Sequence, residues 1–351
     1  DEFKEWLKLS DEEKSKVVMP RMYDVKYSKK NSRNLLNLVR TARASLDSRF
    51  SLKDLIPENL VIRNQQQTNL CWAIATLSSL ETNLALSNYK QGINLSKVYD
   101  FSERHMEYAT TREFADGAIN EKGYNRKLGS GGAYQFSFSY LTNGTGAIPE
   151  SEMPFENNED TIDISEIQGK TVSSEVSDMV LFADYNAVTG TERTEIMNQI
   201  KEHIQNYGSV QASIHGNSSN ITGFNCYNND TGAKYCSGAI NHPMDHGVSI
   251  IGWDDNYSID NFPEDSKPTS NGAWIVRNSW GESYGDEGYI YISYEDYNVS
   301  KQLYGIEKAS DTVNYDYIYQ YDEYFPPIEV TVPSSSMMLG TIFNKQSSST
   351  E

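Results

Sequence analysis

The spacing of apolar residues changes near Gly208, and this change constrains the fold of the 351-residue chain more than any other feature. Before Gly208 the spacing is helical, most clearly in a series that starts at Cys71. Its members are Cys71, Ile74, Leu77, Leu80 and Leu84. After Gly208 come short segments rich in Val, Ile and aromatic residues, which indicate strands. The predicted strands are Val210–Ile214, Val248–Trp253, Ala273–Arg277 and Tyr289–Tyr294. A helical half that precedes a strand-rich half predicts an α+β fold.

Three further helices are predicted before Gly208. They cover Ser102–Ala115, a segment after Gly132, and Thr191–Tyr207. Thr191 can cap the last of these helices because a hydroxyl accepts a hydrogen bond from the free amides of a first turn. Gly208 can end it because Gly readily adopts the left-handed conformation that closes a helix.

The first 47 residues differ from the rest, since they hold two short helical patterns and no strand signal. Ser10 and Glu13 have the spacing of a capping box, and Pro20 stops the turn that follows them. A second, basic helix has one apolar face. That face comprises Leu35, Leu36, Leu38, Val39 and Ala42. The segment is therefore either an ordinary helical arm or a pro-segment.

Charge and the length of apolar runs exclude two classes of partner. Lys and Arg total 30 against 49 Asp and Glu, a formal net charge of −19, which repels nucleic acid and anionic membranes. Apolar stretches are a few residues long, far short of the roughly 18 that a membrane span needs. The aromatic content of 12% predicts a folded, soluble chain. The chain starts at Asp1 without Met, which allows a removed leader and secretion.

The three cysteines suggest one bridge and one thiol left free for chemistry, because the count is odd. Cys71 stands in the first turn of its predicted helix, where the helix dipole and unpaired amides stabilise a thiolate. A Cys in a buried helix is otherwise an inert small hydrophobe. Gln65 lies six residues upstream on a polar loop. Its amide can join the Cys71 N–H in an oxyanion hole, or it is a solvated loop residue.

A thiol nucleophile needs a base, and the chain has five histidines. His105 and His203 lie in helical patterns, where a solvated or capping role is expected. His246 opens an apolar strand that would hold the ring rigidly at a strand edge, so it is the predicted base, with His242 as the fallback. Asn278 is the predicted partner of the second ring nitrogen, because an amide carbonyl orients the imidazole without adding charge.

Four motifs, in order along about residues 50–295, resemble those of the papain family of cysteine peptidases. They are Gln65 followed after five residues by Cys71-Trp72, the pair Gly131-Gly132, His246-Gly247 before an apolar run, and Asn278-Ser279-Trp280-Gly281. The resemblance implies a papain-like two-subdomain fold. A helical N-terminal subdomain and a β-barrel-like C-terminal subdomain would flank a cleft that holds the active site.

The resemblance also implies roles for residues of this chain. Cys71, His246 and Asn278 would form the catalytic triad, Gln65 would donate to the oxyanion, and Trp280 would shield the His–Asn hydrogen bond from solvent. Gly132 would bind the backbone of an extended substrate. The other implied substrate-binding residues are Gly131, Ala133, Tyr134, Met244 and Gly247. No cofactor or metal is implied.

Within the family, the sequence is most similar to bacterial, clostridial-type surface proteases, which share the run Gly-Trp-Asp-Asp-Asn-Tyr-Ser seen at residues 252–258. In such proteins a pro-segment precedes the enzyme, and a lectin-like β domain often follows. The implied domains are a pro-segment over residues 1–47, a peptidase domain over 48–308, and an extension over 309–351 that can begin a lectin-like domain. Alternating tyrosines in this extension predict a strand. They are Tyr315, Tyr317, Tyr319 and Tyr321.

Three local features depart from the family pattern or leave alternatives open. Thr68 stands where most animal and plant members have a structural Cys. Cys226 and Cys236 flank a turn signal, so they either bridge a hairpin or remain two thiols. Acidic and polar residues alternate over 254–265 as in a calcium loop, but the sixth-place Gly and the terminal Glu are missing, so no metal is predicted. The alternating residues are Asp254, Asn256, Ser258, Asp260 and Asp265.

The sequence therefore predicts a cysteine endopeptidase that hydrolyses proteins or peptides through a thioester acyl-enzyme. It would be a secreted or cell-surface monomer, inhibited by its own pro-segment, with no nucleic-acid partner. An aminopeptidase or a transpeptidase on the same scaffold is an alternative, because acyl transfer to an amine uses the same groups. An inactive surface adhesion module is an alternative of a different class.

Overall fold

Helices come mainly before Gly208, and most strands of the main sheet come after it, in the part of the chain that the structure describes. The structure is a computed structural model that describes residues 8–10, 13, 46–114, 116–155, 164–167, 169–216, 225–238 and 243–313. The helices are α1 (Cys71–Gln91), α2 (Glu103–Thr110), α3 (Tyr134–Thr142), α4 (Ile164–Ile167) and α5 (Gly190–Tyr207). The predicted α+β class is confirmed.

Nine strands form the main sheet of the described residues. They are β1 (Arg49–Ser51), β4 (Glu175–Phe182), β5 (Val210–Ile214), β6 (Tyr227–Asn228), β7 (Ala233–Lys234), β8 (His246–Asp254), β9 (Ala273–Arg277), β10 (Tyr289–Ser293) and β11 (Leu303–Ser310). The order is β4-β11-β5-β8-β9-β10-β7-β6, with β1 beside β8. Because β4 and β6 are the two ends of this order, the described strands form an open sheet, and the expected barrel-like closure is absent from them.

A separate two-stranded sheet explains why one helix is shorter than predicted. Its strands are β2 (Thr111–Glu113) and β3 (Tyr124–Lys127), which run parallel. The hydroxyl of Ser102 caps α2 by accepting from the N–H of His105 at 3.0 Å. The helix ends at Thr110, because Thr111 has extended backbone and continues into β2. The prediction of a helix up to residue 115 is therefore wrong in its second half.

The start of α5 also differs from the prediction. The helix begins at Gly190, after Thr189, whose side chain makes no capping hydrogen bond. Thr191 lies inside the first turn, so the prediction that it is the cap is wrong. Gly208 ends the helix as predicted, with a φ of 107° that side chains rarely allow.

The core lies between α1 and the main sheet. Helix α1 packs against β8 and β11, and the side chains of its first sixteen residues are buried. Strand β8 is buried along almost its whole length and pairs antiparallel with β5 on one side and β9 on the other. This packing sets the first residue of α1 against the first residues of β8.

Residues 46–51 are bound to the far end of β8. Strand β1 pairs antiparallel with it, with Phe50 opposite Trp253 and Ser51 opposite Gly252. The rings of Phe50 and Trp253 stack with centroids 5.0 Å apart, and the Trp253 indole N–H donates to the carbonyl of Asp47 at 3.0 Å. An added Cβ on Gly252 would overlap the backbone carbonyl of Phe50, so only Gly fits there.

Two predictions for the chain ends have different outcomes. Ser10 and Glu13 form the predicted capping box, in which the Ser10 N–H donates to the Glu13 carboxylate at 2.8 Å and the Glu13 N–H donates to the Ser10 hydroxyl at 3.3 Å. The basic helix near residues 35–42 and the tyrosine alternation at 315–321 lie outside the described residues. No helix in the described ranges is long and apolar enough to cross a membrane.

Candidate active site

Cys71 is the first residue of α1, where the free backbone amides of the helix point towards its side chain. It is 7% exposed. Burial raises the pKa of its thiol, whereas the backbone of Gly247 in β8 lowers it. Gly247 also packs on the Cys71 backbone, since a Cβ added there would lie 3.1 Å from the Cys71 carbonyl oxygen. The first residue of α1 therefore packs against the start of β8, whose first residue is His246.

His246 is held by Asn278 from the neighbouring strand. The Nε2 of His246 lies 2.7 Å from the Oδ1 of Asn278. That oxygen also accepts the N–H of Ser279 at 2.9 Å, which shows that it is the carbonyl oxygen of the amide and that Nε2 carries the proton. In this tautomer, Nδ1 is the imidazole nitrogen left to act as a base.

Trp280 covers one face of the His246 ring. The two rings stack with centroids 4.4 Å apart and planes 25° apart, and Tyr284 packs edge-on against Trp280 at 4.7 Å. His246 and Asn278 are each 3% exposed. The hydrogen bond between them is therefore largely buried.

Gln65 is fixed by hydrogen bonds on both sides of its amide. Its Oε1 accepts the Ser279 hydroxyl at 2.7 Å, and its Nε2 donates to the Thr68 carbonyl at 2.8 Å. The Gln65 N–H donates to the Ser279 carbonyl at 2.8 Å. One N–H of Nε2 is used by Thr68, so the second is the donor that this amide can offer to an oxyanion.

Burial opposes charge on both reactive groups. It raises the pKa of the Cys71 thiol to about 11, although the backbone hydrogen bonds from Gly247 and Trp72 lower it. It lowers the pKa of His246 to about 4, although the hydrogen bond to Asn278 raises it. Neither a lone thiolate nor a lone imidazolium is favoured in this site.

The glycine pair lies beside Trp72, the second residue of α1. Gly131 has a φ of 68°, which suits Gly. A Cβ on Gly132 would overlap the Trp72 indole. Because Gly132 has no side chain, the segment that contains it can lie close to α1. This close packing is a reason for Gly at this position that the sequence did not reveal.

The remaining predicted pocket residues are buried. Ala133 is 1% exposed and immediately precedes α3. Tyr134 is 7% exposed and packs against Phe138 and Tyr304, with ring centroids 5.4 Å and 5.2 Å away. Met244 is 7% exposed. These side chains are therefore largely withdrawn from solvent.

A buried ion cluster lies behind the site, and the sequence gave no indication of it. Glu81 of α1 is 1% exposed and pairs with Arg63 at 2.6 Å and with Arg277 at 3.6 Å. Arg63 also pairs with Glu103 at 2.7 Å and with Asp100. Burial raises the pKa of Glu81, whereas the charges of the two arginines lower it. Because Arg277 directly precedes the triad asparagine, the cluster joins α1 to the strand that positions Asn278.

Cys226 and Cys236 form a disulfide, with Cα atoms 4.9 Å apart, so the bridged alternative is confirmed. Cys71 is the remaining cysteine and is free. Lys234, buried on β7, donates to the Cys236 sulfur at 3.0 Å. His242, the fallback base, lies outside the described residues.

The acidic residues at 254–265 are used in turns and ion pairs. Asp254 accepts the Asn256 N–H at 2.9 Å, Ser258 caps the N–H of Asp260 at 3.1 Å, and Asp260 lies 3.4 Å from Lys267. Within the described ranges, no three His, Cys, Asp or Glu side chains are arranged to hold a metal ion.

Ser279 is the site residue that sequence reasoning missed. It bonds to Gln65 through its hydroxyl and its carbonyl, and to Asn278 through its N–H. Its position directly after Asn278 in a recognised motif was the available signal. This serine therefore connects Asn278 to Gln65.

Comparison with known families agrees with this geometry. Residues 48–312 match the model described as papain family cysteine protease. Vignain of Vigna mungo is 26% identical over 244 residues, which cover 69% of this chain and 52% of that protein. The viral cathepsin of Choristoneura fumiferana nuclear polyhedrosis virus is 25% identical over 233 residues, which cover 66% and 55%. The chain therefore spans about half the length of these relatives.

Solved structures give the same result at the level of the fold. The clostridial cysteine protease Cwp84, in a form after propeptide cleavage, has a TM-score of 0.64 and 29% identity, covering 79% of this chain and 62% of that one. A structure of the protease and lectin-like domains of Cwp84, a surface layer associated protein of Clostridium difficile, has a TM-score of 0.64 and 27% identity. It covers 88% of this chain and 60% of that one.

Proposed function

Because the chain belongs to the papain family of cysteine proteases, we propose that it is a cysteine endopeptidase with Cys71 as nucleophile and His246 as base. One observation carries the proposal. Gly247 packs on the Cys71 backbone, since a Cβ added to it would lie 3.1 Å from the Cys71 carbonyl oxygen, and the adjacent His246 lies 2.7 Å from Asn278. This supports a site in which a nucleophile, a base and an orienting amide come from three separate elements.

The reaction begins with proton transfer from the Cys71 sulfur to Nδ1 of His246. The resulting thiolate attacks the carbonyl carbon of the scissile peptide bond, and the carbonyl oxygen becomes an oxyanion. The backbone N–H of Cys71 and the second N–H of the Gln65 amide donate to that oxyanion. Fixed donors of this kind stabilise the transition state because they need no reorganisation when charge develops.

The tetrahedral intermediate then collapses to a thioester. The imidazolium of His246 gives its proton to the leaving nitrogen, and the amine product departs. Water, deprotonated by the neutral imidazole, attacks the thioester, and the acid product leaves as Cys71 is regenerated. Asn278 keeps Nε2 protonated throughout, so that Nδ1 faces the reacting atoms in every step.

The substrate would lie along the Gly131-Gly132 segment. An extended peptide binds there by backbone hydrogen bonds, which suits a segment without side chains. Ala133, Tyr134, Met244 and Gly247 would line the pocket for the side chain two residues before the scissile bond. The preference would be for a small apolar side chain, because Tyr134 is already packed against Phe138 and Tyr304.

Internally quenched peptides test the reaction class. We expect cleavage inside the peptide, blocked after Cys71 has been alkylated by iodoacetamide. Stepwise loss of N-terminal residues would identify an aminopeptidase. New peptide bonds to an added amine would identify a transpeptidase. No turnover in any form of the chain would contradict the proposal and favour an inactive adhesion module.

Gln65→Ala is expected to lower kcat by about 10²–10³ with little change in KM, because the lost donor acts on the oxyanion and not on the bound substrate. The comparison variant is Gln66→Ala. Gln66 is the next residue on the same loop, and its side chain is exposed. It should retain the parent kcat. An unchanged rate in Gln65→Ala would exclude the oxyanion role.

We also propose that residues 1–47 are an inhibitory pro-segment that precedes the peptidase domain of residues 48–308. Residues 31–45 contain Arg33, Arg40 and Arg43 and no acid, whereas the whole chain has a net charge of −19. Docking of this segment on the acidic body should therefore weaken with salt. The relative Cwp84 is described after propeptide cleavage, which supports a similar arrangement here.

Limited trypsin treatment should activate the full chain by cutting after Arg40 or Arg43. A cut after Arg49 is disfavoured because Arg49 lies in β1, where its backbone is paired with that of Asp254 in β8. We expect peptidase activity to rise at least tenfold as the new N-terminus appears at Thr41 or Ala44. The double variant Arg40→Gln, Arg43→Gln should resist activation, whereas Arg49→Gln should not. Full activity before any cut would show that residues 1–47 are an ordinary helical arm.

The localisation follows from the same relatives. Cwp84 is described as a surface layer associated protein, and the Cys226–Cys236 disulfide suits an oxidising compartment. We propose a secreted or cell-surface protease that acts as a monomer, with residues 309–351 leading into a further domain.

A further inference from the structure

A row of four packed rings connects the candidate active site to a hairpin that the proposed mechanism does not use. Trp280 covers the His246 ring, and Tyr284 packs edge-on against Trp280. The row continues beyond Tyr284, whose ring stacks on that of Tyr227 with centroids 5.1 Å apart and planes 13° apart. We call these four rings the aromatic row. Its two ends are the imidazole of the proposed base and the ring of Tyr227.

The two ends of the aromatic row are buried, and its middle is partly exposed. Tyr227 is 4% exposed and His246 is 3% exposed, whereas Trp280 and Tyr284 are only partly buried. Exposed residues lie on both sides of Tyr284 along the chain, at positions 282, 283 and 285–287. Trp280 is therefore held between His246 and Tyr284, and the far side of Tyr284 is supported by the buried ring of Tyr227.

Tyr227 is held by the hairpin that carries it. It begins β6, which pairs antiparallel with β7 so that Tyr227 lies opposite Lys234, and β7 pairs with β10. The Cys226–Cys236 disulfide closes the same hairpin, and the Tyr235 N–H donates to the Cys226 carbonyl at 2.8 Å. The position of Tyr227 is therefore set by strand pairing and a covalent bridge, and not by the exposed loop that carries Tyr284.

Resting on the proposed role of His246 as the base, we propose that Tyr227 is a positioning residue that acts on it through the aromatic row. The hairpin holds Tyr227, which supports Tyr284 so that Trp280 stays flat on the imidazole. That cover keeps the ring in the orientation of its hydrogen bond to Asn278 and limits the access of water to this bond. Aromatic contacts add stabilisation beyond that of their buried area, so losing the end ring loosens the rings that follow.

Tyr227→Leu removes the end ring of the aromatic row and keeps an apolar side chain. We expect kcat for a quenched peptide to fall about tenfold, because a misplaced base slows the chemical step. KM should stay within about twofold, since the hairpin is not part of the proposed substrate segment. Tyr227→Phe keeps the ring and should retain kcat to within about twofold. Rates are measured after limited trypsin treatment, so that the first 47 residues do not limit them.

Tyr257→Leu is the matched control, because it removes a stacked ring from the same hairpin but outside the aromatic row. The Tyr257 hydroxyl donates to the Thr231 carbonyl of the hairpin at 3.2 Å, and its ring stacks on Tyr291 with centroids 4.5 Å apart. A general loosening of the hairpin would therefore lower the rates of both variants. We expect Tyr257→Leu to keep the parent kcat.

Trp280→Leu supplies a readout that a merely structural role of Tyr227 would not move. It interrupts the aromatic row next to His246, so adding Tyr227→Leu to the Trp280→Leu chain should lower kcat by less than about twofold. The same tenfold loss in both backgrounds would show that Tyr227 acts without Trp280 and would overturn the inference. A parent kcat in Tyr227→Leu would overturn it as well.

Near-ultraviolet circular dichroism checks the fold of each variant. Should Tyr227→Leu not fold, Tyr284→Leu decides the question, because it removes the ring through which Tyr227 reaches Trp280 from a partly exposed position. A parent kcat there contradicts the inference and leaves the proposed peptidase intact. Failure of the unaltered chain to cleave quenched peptides, before and after trypsin treatment, would instead overturn the proposed function.

Discussion

Cys71→Ala should lower kcat/KM for peptide cleavage by about 10⁶-fold, because removal of a nucleophile leaves only binding and oxyanion stabilisation. The substitution removes one sulfur atom at the start of α1, where Cys71 is 7% exposed. The fold should therefore persist, and circular dichroism should match that of the parent. Loss of iodoacetamide labelling should accompany loss of activity, because the other two cysteines are bridged.

Cys71→Ser is the matched comparison for this result. Serine is similar in size to cysteine and carries a hydroxyl in place of the thiol. A hydroxyl holds its proton far more tightly than a thiol does, so His246 cannot readily remove that proton. Its activity should also fall by several orders of magnitude. A Cys71→Ala chain within tenfold of the parent rate would place the nucleophile elsewhere and remove the basis of the proposed mechanism.

Glu81→Ala should lower the free energy of unfolding by about 3–5 kcal/mol, because it leaves buried arginine charges without their main partner. Glu81 is 1% exposed and lies 2.6 Å from Arg63 and 3.6 Å from Arg277. It also accepts the backbone N–H of Phe101 at 3.1 Å. Urea unfolding followed by fluorescence measures the change as a lower midpoint with a similar slope.

Asp54→Ala provides the comparison at the surface. Asp54 pairs with Arg49 at 3.3 Å, but its side chain is 60% exposed, and such pairs contribute about 1 kcal/mol or less. If Glu81→Ala costs no more than Asp54→Ala, the buried cluster is not what holds α1 to the end of β9. Peptidase activity should fall with Glu81→Ala as well, because Arg277 directly precedes Asn278.

Elements with a strong local pattern were predictable from the sequence. Strands β8 and β9 have clear apolar patterns and lie within about two residues of their predicted bounds, and α1 begins at the predicted Cys71. Strands β4 and β11 were missed because they alternate weakly and are stabilised by pairing with each other over 120 residues of intervening chain. Such pairing leaves no local signal.

The candidate site likewise contains residues that the sequence predicts and contacts that it does not. The proposed reactive residues, Cys71, His246 and Asn278, lie in short motifs, so the sequence was enough to propose them. The hydrogen bond from Ser279 to Gln65 joins residues 214 positions apart. The geometry of this hydrogen bond depends on how the loops that carry Gln65 and Ser279 meet in space. The spacing of residues along the chain does not encode that contact.

One serine links two residues of the proposed catalytic apparatus. Ser279 bonds to Gln65, the proposed oxyanion donor, through its hydroxyl and carbonyl, and to the Asn278 side chain through its N–H. A displacement on either side is therefore transmitted to the other. In a double-mutant cycle, changes at Gln65 and Asn278 would show a coupling energy rather than independent effects. Evolution of a new specificity on this scaffold would consequently vary the pocket walls more freely than this loop.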